Sequence, residues 1–375
     1  MVTLNLHINY DCPLKCRYCV QRLDPNLSKY YLTVEQMIQK VQDFLDFTGE
    51  SVCRVNISGG EPLLKYKEIQ QLMEHFPNNQ YEISTSGYLL TEEKAKFFSY
   101  YGVHYVLSVD GTERVTNHLR PLANGELGYF KQFKKNVPHI LYYSPKTRAK
   151  LIVSKNIINE VFNTYLELER LGFQEIFITP NVYENEVDNH QPGLKTGTWL
   201  EEDWQAFREQ IFSIVNEIHL GYLNNKKRCL ITNIENPMAK MLFNDNSGEF
   251  CLNKLICTVL DFKGGSSPEY GQMSETLADV SLCIAKLNNS ITTQRDLVLR
   301  AKNDFAKLTG ECPLDKDCPY QKSCVYCTCL AENIKGKHEN IWTPTEFQCK
   351  TQKIYHDAAM QLLQICLELD NDAVK

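Results

Sequence analysis

A chain of 375 residues is too long for one ordinary single-core domain unless that core is an α/β barrel, and it leaves room for a smaller companion unit. Apolar residues at 43%, charged residues at 23% and the lack of any low-complexity stretch predict a folded protein throughout, with disorder confined to the tail near Asn371. The net charge of -6, with 40 Lys and Arg scattered along the chain, gives no electrostatic reason to expect a nucleic-acid partner, and no run of 18 apolar residues is available to span a bilayer.

The N-terminus alternates Leu4, Leu6 and Ile8 with polar neighbours and reads as a strand, with no basic start or apolar run of a secretion signal. A cytoplasmic protein is therefore expected. In that reducing compartment an odd total of 15 cysteines argues for metal ligation over disulfides.

Directly after the first strand comes Asp-Cys-Pro-Leu-Lys-Cys-Arg-Tyr-Cys, which places Cys12, Cys16 and Cys19 in a CxxxCxxC loop. Three thiolates can hold three irons of a cubane and leave the fourth iron to a chelating ligand, whereas a structural zinc site closes with four ligands. Thr33 and Gln36 then form a capping box ahead of an apolar face of Met37, Ile38, Val41, Phe44 and Leu45, with Gly49 ending the helix.

Further strand-like runs over residues 52–58, 81–84, 103–108, 149–154 and 175–179 alternate with helical patterns, giving six β-α units of a parallel sheet. Periodicity alone leaves an open doubly wound sheet and a partial barrel equally open. Three of the strands end in polar turns: Gly59-Gly60-Glu61-Pro62 after the second, Ser84-Thr85-Ser86-Gly87 after the third, and Ser108-Val109-Asp110-Gly111 after the fourth, with Arg120 ten residues beyond Asp110. Taken singly, glycine and serine after a strand are ordinary turn residues.

A polar segment over residues 181–196 breaks the rhythm, and Thr198 with Glu201 forms the expected cap of the next helix. From Cys251 onward cysteine dominates, with Cys251, Cys257, Cys283, Cys312, Cys318, Cys324, Cys327, Cys329 and Cys349 in a region poor in apolar pattern that needs metal to fold. The last helix, from about Thr351 to Leu369, shows Ile354, Ala358, Leu362, Leu363 and Cys366 on one face and reads as core packing. The nine histidines form no paired cluster and read as surface or packing residues, Cys53 and Cys366 as small core residues.

The cysteine loop with Tyr18 at its aromatic position, followed in order by the three strand-end motifs, resembles the radical S-adenosylmethionine superfamily. The resemblance implies a partial (β/α)6 TIM barrel, a [4Fe-4S] cluster on Cys12, Cys16 and Cys19, and S-adenosylmethionine held by Tyr18, Gly59, Gly60, Glu61, Pro62, Ser84, Ser86, Ser108, Asp110 and Arg120. Within that set Ser108 and Arg120 are implied for the ribose and the methionine carboxylate, and Ser86 replaces the Asn that relatives often carry.

The later cysteines resemble the SPASM extension, in which two auxiliary [4Fe-4S] clusters would draw on Cys251, Cys257, Cys312, Cys318, Cys324, Cys327, Cys329 and Cys349. Asp315 stands where the first cysteine of the usual run belongs, and no cysteine follows Cys257 at the usual distance; a closed zinc fold is the competing reading of the same spacings. The division this implies is 1–197 for the barrel, 198–250 for a helical bridge and 251–375 for the auxiliary unit.

Members with this layout modify peptides or protein side chains, so the implied activity is hydrogen abstraction in ribosomal peptide maturation, with an anaerobic sulfatase maturase and a non-catalytic iron–sulfur scaffold as alternatives. Implied partners are a peptide or protein substrate and a reductant such as flavodoxin or ferredoxin. Because the chain begins in the first barrel strand, a separate leader-recognition protein is also expected.

Overall fold

The computed structural model describes residues 3–19, 31–126, 128–181, 183–185, 194–196, 199–224, 226, 228–243, 258–260, 317–320 and 346–373. Six strands follow the six predicted runs: β1 (Thr3–His7), β2 (Arg54–Ser58), β3 (Gln80–Thr85), β4 (His104–Ser108), β5 (Arg148–Val153) and β6 (Glu175–Pro180). Between and after them lie α1 (Val34–Thr48), α2 (Tyr66–His75), α3 (Glu92–Ser99), α4 (Glu113–Leu119), α5 (Tyr129–Tyr143) and α6 (Val161–Arg170).

All neighbouring strands pair parallel and in chain order from β1 to β6. A doubly wound sheet reverses its order at a switch point, so this unbroken progression decides for the barrel-type sheet that periodicity left undetermined. Two short strands extend the edges, β9 (Leu230–Ile231) beside β6 and β10 (Thr258–Leu260) beside β1, while β7 (Tyr183–Asn185) and β8 (Leu194–Thr196) form a separate antiparallel pair.

Alternation assigns the two faces of the sheet. Val55, Ile57, Ile83, Leu107, Ala149, Leu151, Ile176 and Ile178 are fully buried against the helices. Their neighbours Asn56, Glu82, Ser84, Ser108, Lys150 and Phe177 turn to the opposite, inner face and are only partly covered. The inner wall of the barrel is therefore largely polar, as a ligand-holding interior requires.

Helix α1 starts as its sequence predicts: Thr33 Oγ1 accepts from the Gln36 N–H at 3.3 Å, Gln36 Oε1 accepts from the Thr33 N–H at 2.9 Å, and Gly49 closes the helix at φ 70°. We expect Thr33→Ala to lower the unfolding free energy by about 1 kcal/mol in urea titration. An unchanged value would mean that neither bond contributes.

After the barrel strands come α7 (Glu201–Leu223) and α8 (Thr232–Phe243), and a last helix α9 (Glu346–Ala373). The start of α7 corrects the expected Thr198–Glu201 box: Thr198 lies outside the described residues, and the Leu200 N–H is taken by Asp203 at 2.7 Å. Asp203 is available for this because Lys155 anchors its carboxylate at 2.9 Å. Helix α9 packs on α7 and α8, burying Ile354, Ala358 and Leu362, and the Tyr355 hydroxyl donates to the Ile178 carbonyl of β6 at 2.5 Å. Among the described residues no helix is long and apolar enough to cross a membrane.

Candidate functional site

The inner-face residues lead upward to the C-terminal ends of the strands, where the loops after β1, β2, β3 and β4 meet. Cys16 is buried and Cys12 and Cys19 half-buried in the first of these loops. That loop is zipped to the chain leaving α4: the Lys15 and Arg17 N–H groups donate to the Pro121 and Leu119 carbonyls at 2.7 and 2.9 Å, and the Ala123 N–H donates to the Pro13 carbonyl at 2.7 Å. Arg17 Nε adds a bond to the His118 carbonyl at 2.8 Å.

From its other side the loop meets Gly59 and Gly60. The Gly60 and Glu61 N–H groups donate to the Asn9 and Asp11 carbonyls at 2.8 and 2.7 Å. A Cβ on Gly60 would lie 2.3 Å from the Asp11 oxygen and 2.4 Å from the Tyr10 oxygen, and one on Gly59 would lie 2.3 Å from Asn9 Oδ1. Glycine is required at both because two backbones touch there.

Glu61 is fully buried, with its carboxylate bonded to the end of β3. Its carboxylate accepts from the Thr85 hydroxyl at 2.6 Å, the Ser86 N–H at 2.9 Å and the Leu63 N–H at 3.1 Å, and is also bonded by the Ser86 hydroxyl. Glu61 and Ser86 are thus each other's partners, tying the second strand-end loop to the third. Pro62 opens the short 3-10 turn Pro62–Lys65 that follows.

The fourth loop brings a buried ion pair. Arg120 donates to Asp110 through Nε at 2.8 Å and Nη2 at 3.0 Å, with Asp110 fully covered. This bidentate fork uses two of the five guanidinium N–H groups and neutralises its charge. Tyr18 donates its hydroxyl to the same carboxylate at 2.5 Å and lays its ring 5.3 Å from the guanidinium. Arg120 Nη1 then reaches Cys16 Sγ at 3.8 Å.

Three residues that sequence reasoning missed complete the frame. Asn9 spans the first two loops, donating from Nδ2 to the Glu61 carbonyl at 3.0 Å. The Tyr129 hydroxyl sits between the Ser86 and Ser108 carbonyls at 2.7 and 2.6 Å, joining the ends of β3 and β4. Lys150 stands on the inner face opposite Ser108 in the register of β4 and β5. Ser84 and Ser108 also lie on that face, half-buried.

The sulfur environment fits a bound iron cluster. Cys12 Sγ accepts from the Leu14 N–H at 3.4 Å and Cys16 Sγ faces Arg120, the donors that anionic sulfur needs. Burial, helped by Glu61, pushes the Cys12 thiol up, and a bound cation would favour its thiolate form. Among the described residues no three His, Cys, Asp or Glu side chains converge on one point fit for a single metal ion. A cubane spreads its three thiolates over three irons and needs no such point.

A family model described as the Radical SAM superfamily matches residues 6–139, the span that holds all four loops. These residues form a radical SAM domain. Over 259 residues the chain is 22% identical to the radical SAM cyclopropyl synthase TigE of Paramaledivibacter caminithermalis, covering 61% of this chain and 53% of that protein. Over 217 residues it is 21% identical to the cysteine-type anaerobic sulfatase-maturating enzyme of Clostridium novyi, covering 54% and 56%. The match thus spans about half the length of these curated relatives.

The structure of native anSMEcpe with bound AdoMet superposes with a TM-score of 0.71 at 17% identity, covering 98% of this chain and 100% of that one. At that identity the likeness shows a shared fold.

Of the later cysteines, Cys318 lies half-buried in the segment 317–320 and Cys349 half-buried on α9. The two elements are joined by the Tyr320 hydroxyl on Asp357, which Arg208 of α7 also holds. Cys251, Cys257, Cys283, Cys312, Cys324, Cys327 and Cys329 lie outside the described residues.

Proposed function

We propose that this radical SAM protein is an enzyme that acts on a peptide or protein side chain, in the maturation of a ribosomally made peptide by cross-linking, thioether formation or oxidation. The observation that carries the reading is the convergence of the loops after β2, β3 and β4 around the cysteine loop after β1, whose Cys12 and Cys16 sulfurs face N–H donors. When bound, a [4Fe-4S] cluster and S-adenosylmethionine supply a 5′-deoxyadenosyl radical that abstracts hydrogen from unactivated carbon.

The protein's own residues hold that chemistry in place. Cys12, Cys16 and Cys19 would ligate the cluster, and Gly59 and Gly60 bring the second loop into backbone contact with theirs. Tyr18, Asp110 and Arg120 fix the loop from the β4 side, Glu61 and Ser86 tie the second strand-end loop to the third, and Tyr129 joins the ends of β3 and β4. Ser84 and Ser108 remain open on the inner face to meet S-adenosylmethionine. A fixed frame matters because a primary radical attacks whatever lies nearest.

The peptide substrate class is supported by a structure of anSMEcpe with bound AdoMet and Cp18Cys peptide, which shares the fold at a TM-score of 0.69. The same likeness favours a sulfatase-maturase-like activity as the second reading. On either reading a reductant such as flavodoxin or ferredoxin serves the cluster, and a separate leader-recognition protein presents a peptide substrate. The cysteines from Cys251 to Cys349 would form the auxiliary clusters of a SPASM-type unit over 251–375, behind a barrel over 1–197 and a bridge over 198–250.

Anaerobically reconstituted protein with dithionite and S-adenosylmethionine is expected to release 5′-deoxyadenosine, and a Cys12→Ala protein none above background. Equal release from both would sink the reading. Iron beyond one cluster's complement in the parent supports the auxiliary clusters, and zinc in its place would remove them.

A further inference from the structure

Cys16 differs from Cys12 in the kind of donor that faces it. Cys12 Sγ accepts from a backbone amide, the Leu14 N–H at 3.4 Å, whereas the donor on Cys16 Sγ is a cation, Arg120 Nη1 at 3.8 Å. The Arg120 side chain is only 7% exposed and its partner Asp110 is fully covered, so water and salt screen these charges little. A guanidinium carries five N–H donors. Two of them go to Asp110 and one to Cys16, so Arg120 keeps this contact and still has donors left for the methionine carboxylate.

Reducing an iron–sulfur cluster adds one negative charge, shared in part by the ligating sulfurs, and the potential is set by hydrogen bonds to those sulfurs, burial and nearby charge. A cationic N–H on a ligating sulfur therefore stabilises the reduced form, and a buried carboxylate opposes it. Along this chain of contacts the guanidinium meets Cys16 first. Asp110 stands behind it, with the Tyr18 hydroxyl drawing on its charge at 2.5 Å.

We propose that Arg120 raises the reduction potential of the cluster through its N–H on Cys16 Sγ, and that Asp110 limits how far it does so. The proposal rests on Cys12, Cys16 and Cys19 being the cluster's ligands. It makes the buried ion pair a control on how readily one electron from the reductant enters.

The test is a potentiometric titration of the anaerobically reconstituted full chain without S-adenosylmethionine. It follows the electron paramagnetic resonance signal that dithionite produces in the parent and that Cys12→Ala lacks. Arg120→Lys keeps the charge beside Asp110 but has no second arm for Cys16. At a fixed potential its reduced-to-oxidised ratio is expected to fall about tenfold, a shift of about 59 mV for a one-electron couple. Asp110→Asn keeps an acceptor for Arg120 and removes the opposing charge, so its potential should rise. A merely loosened seat would move both variants in the same direction.

The parent itself supplies a second measurement that no folding defect can obscure. With its arginines labelled with nitrogen-15, pulsed resonance of the reduced cluster should show coupling to a guanidinium nitrogen, and Arg17→Lys should retain it. An unchanged potential in Arg120→Lys, shifts of one sign in both variants, or no nitrogen coupling in the parent overturns the proposal. A parent without any signal that Cys12→Ala lacks would instead overturn the assignment of the cluster ligands.

Discussion

An Asp110→Ala protein is expected to lose about 3–5 kcal/mol of unfolding free energy, the largest stability effect of any single substitution at this site. The carboxylate is fully covered, holds the Arg120 fork at 2.8 and 3.0 Å and accepts the Tyr18 hydroxyl at 2.5 Å. Removing it strands a buried guanidinium beside Cys16 and a half-buried phenol, both without their acceptor. Urea unfolding of parent and variant measures the loss, and iron content after reconstitution should fall with it as the cysteine loop loses its clamp. A loss under about 1 kcal/mol would mean that water reaches the pair and that the clamp contributes little.

Gly60→Ala should have a large effect on metal content, lowering incorporated iron by about one cluster's complement while the barrel stays folded. The added methyl would lie 2.3 and 2.4 Å from two backbone oxygens, which have no rotamer by which to retreat. The cysteine loop must move, and with it the bonds from Gly60 and Glu61 to Asn9 and Asp11. Circular dichroism checks the barrel and iron quantitation checks the loop. Iron retained at the parental level would show that the two loops do not need their contact.

The regular part of this architecture was legible from the chain alone. Six strands and the Thr33 capping box follow from period-two alternation and from short-range chemistry that acts within four residues. The edge strands Leu230–Ile231 and Thr258–Leu260 are too short to carry a period, and their pairing with β6 and β1 depends on where the chain has already been placed. The choice between barrel and open sheet needed strand order, which periodicity does not encode.

At the site, the identities of the motif residues were readable but not all of their partners. Glu61 and Ser86 stood out as neighbours of a ligand, yet the fold bonds them to each other across 25 residues. Arg120 was read as a candidate for the methionine carboxylate, and its spacing from Asp110 does not show that α4 also joins the two as an ion pair. Tyr129 was one aromatic among 20 tyrosines, with only its position between two strand ends to distinguish it. Lys150, like Arg148, puts a cation in a strand whose other residues are apolar, a signal that could have been noticed.

The zip between residues 13–17 and 119–123 also orders events during synthesis. Its partners are about a hundred positions apart, so the cysteines leave the ribosome long before the segment that seats them, and closing so long a loop has to wait for the intervening sheet. A nascent chain halted before residue 119 would display three unanchored thiols to oxidants and stray metals. A cluster held by this loop would therefore gain its full seat only after residues 119–123 have been made.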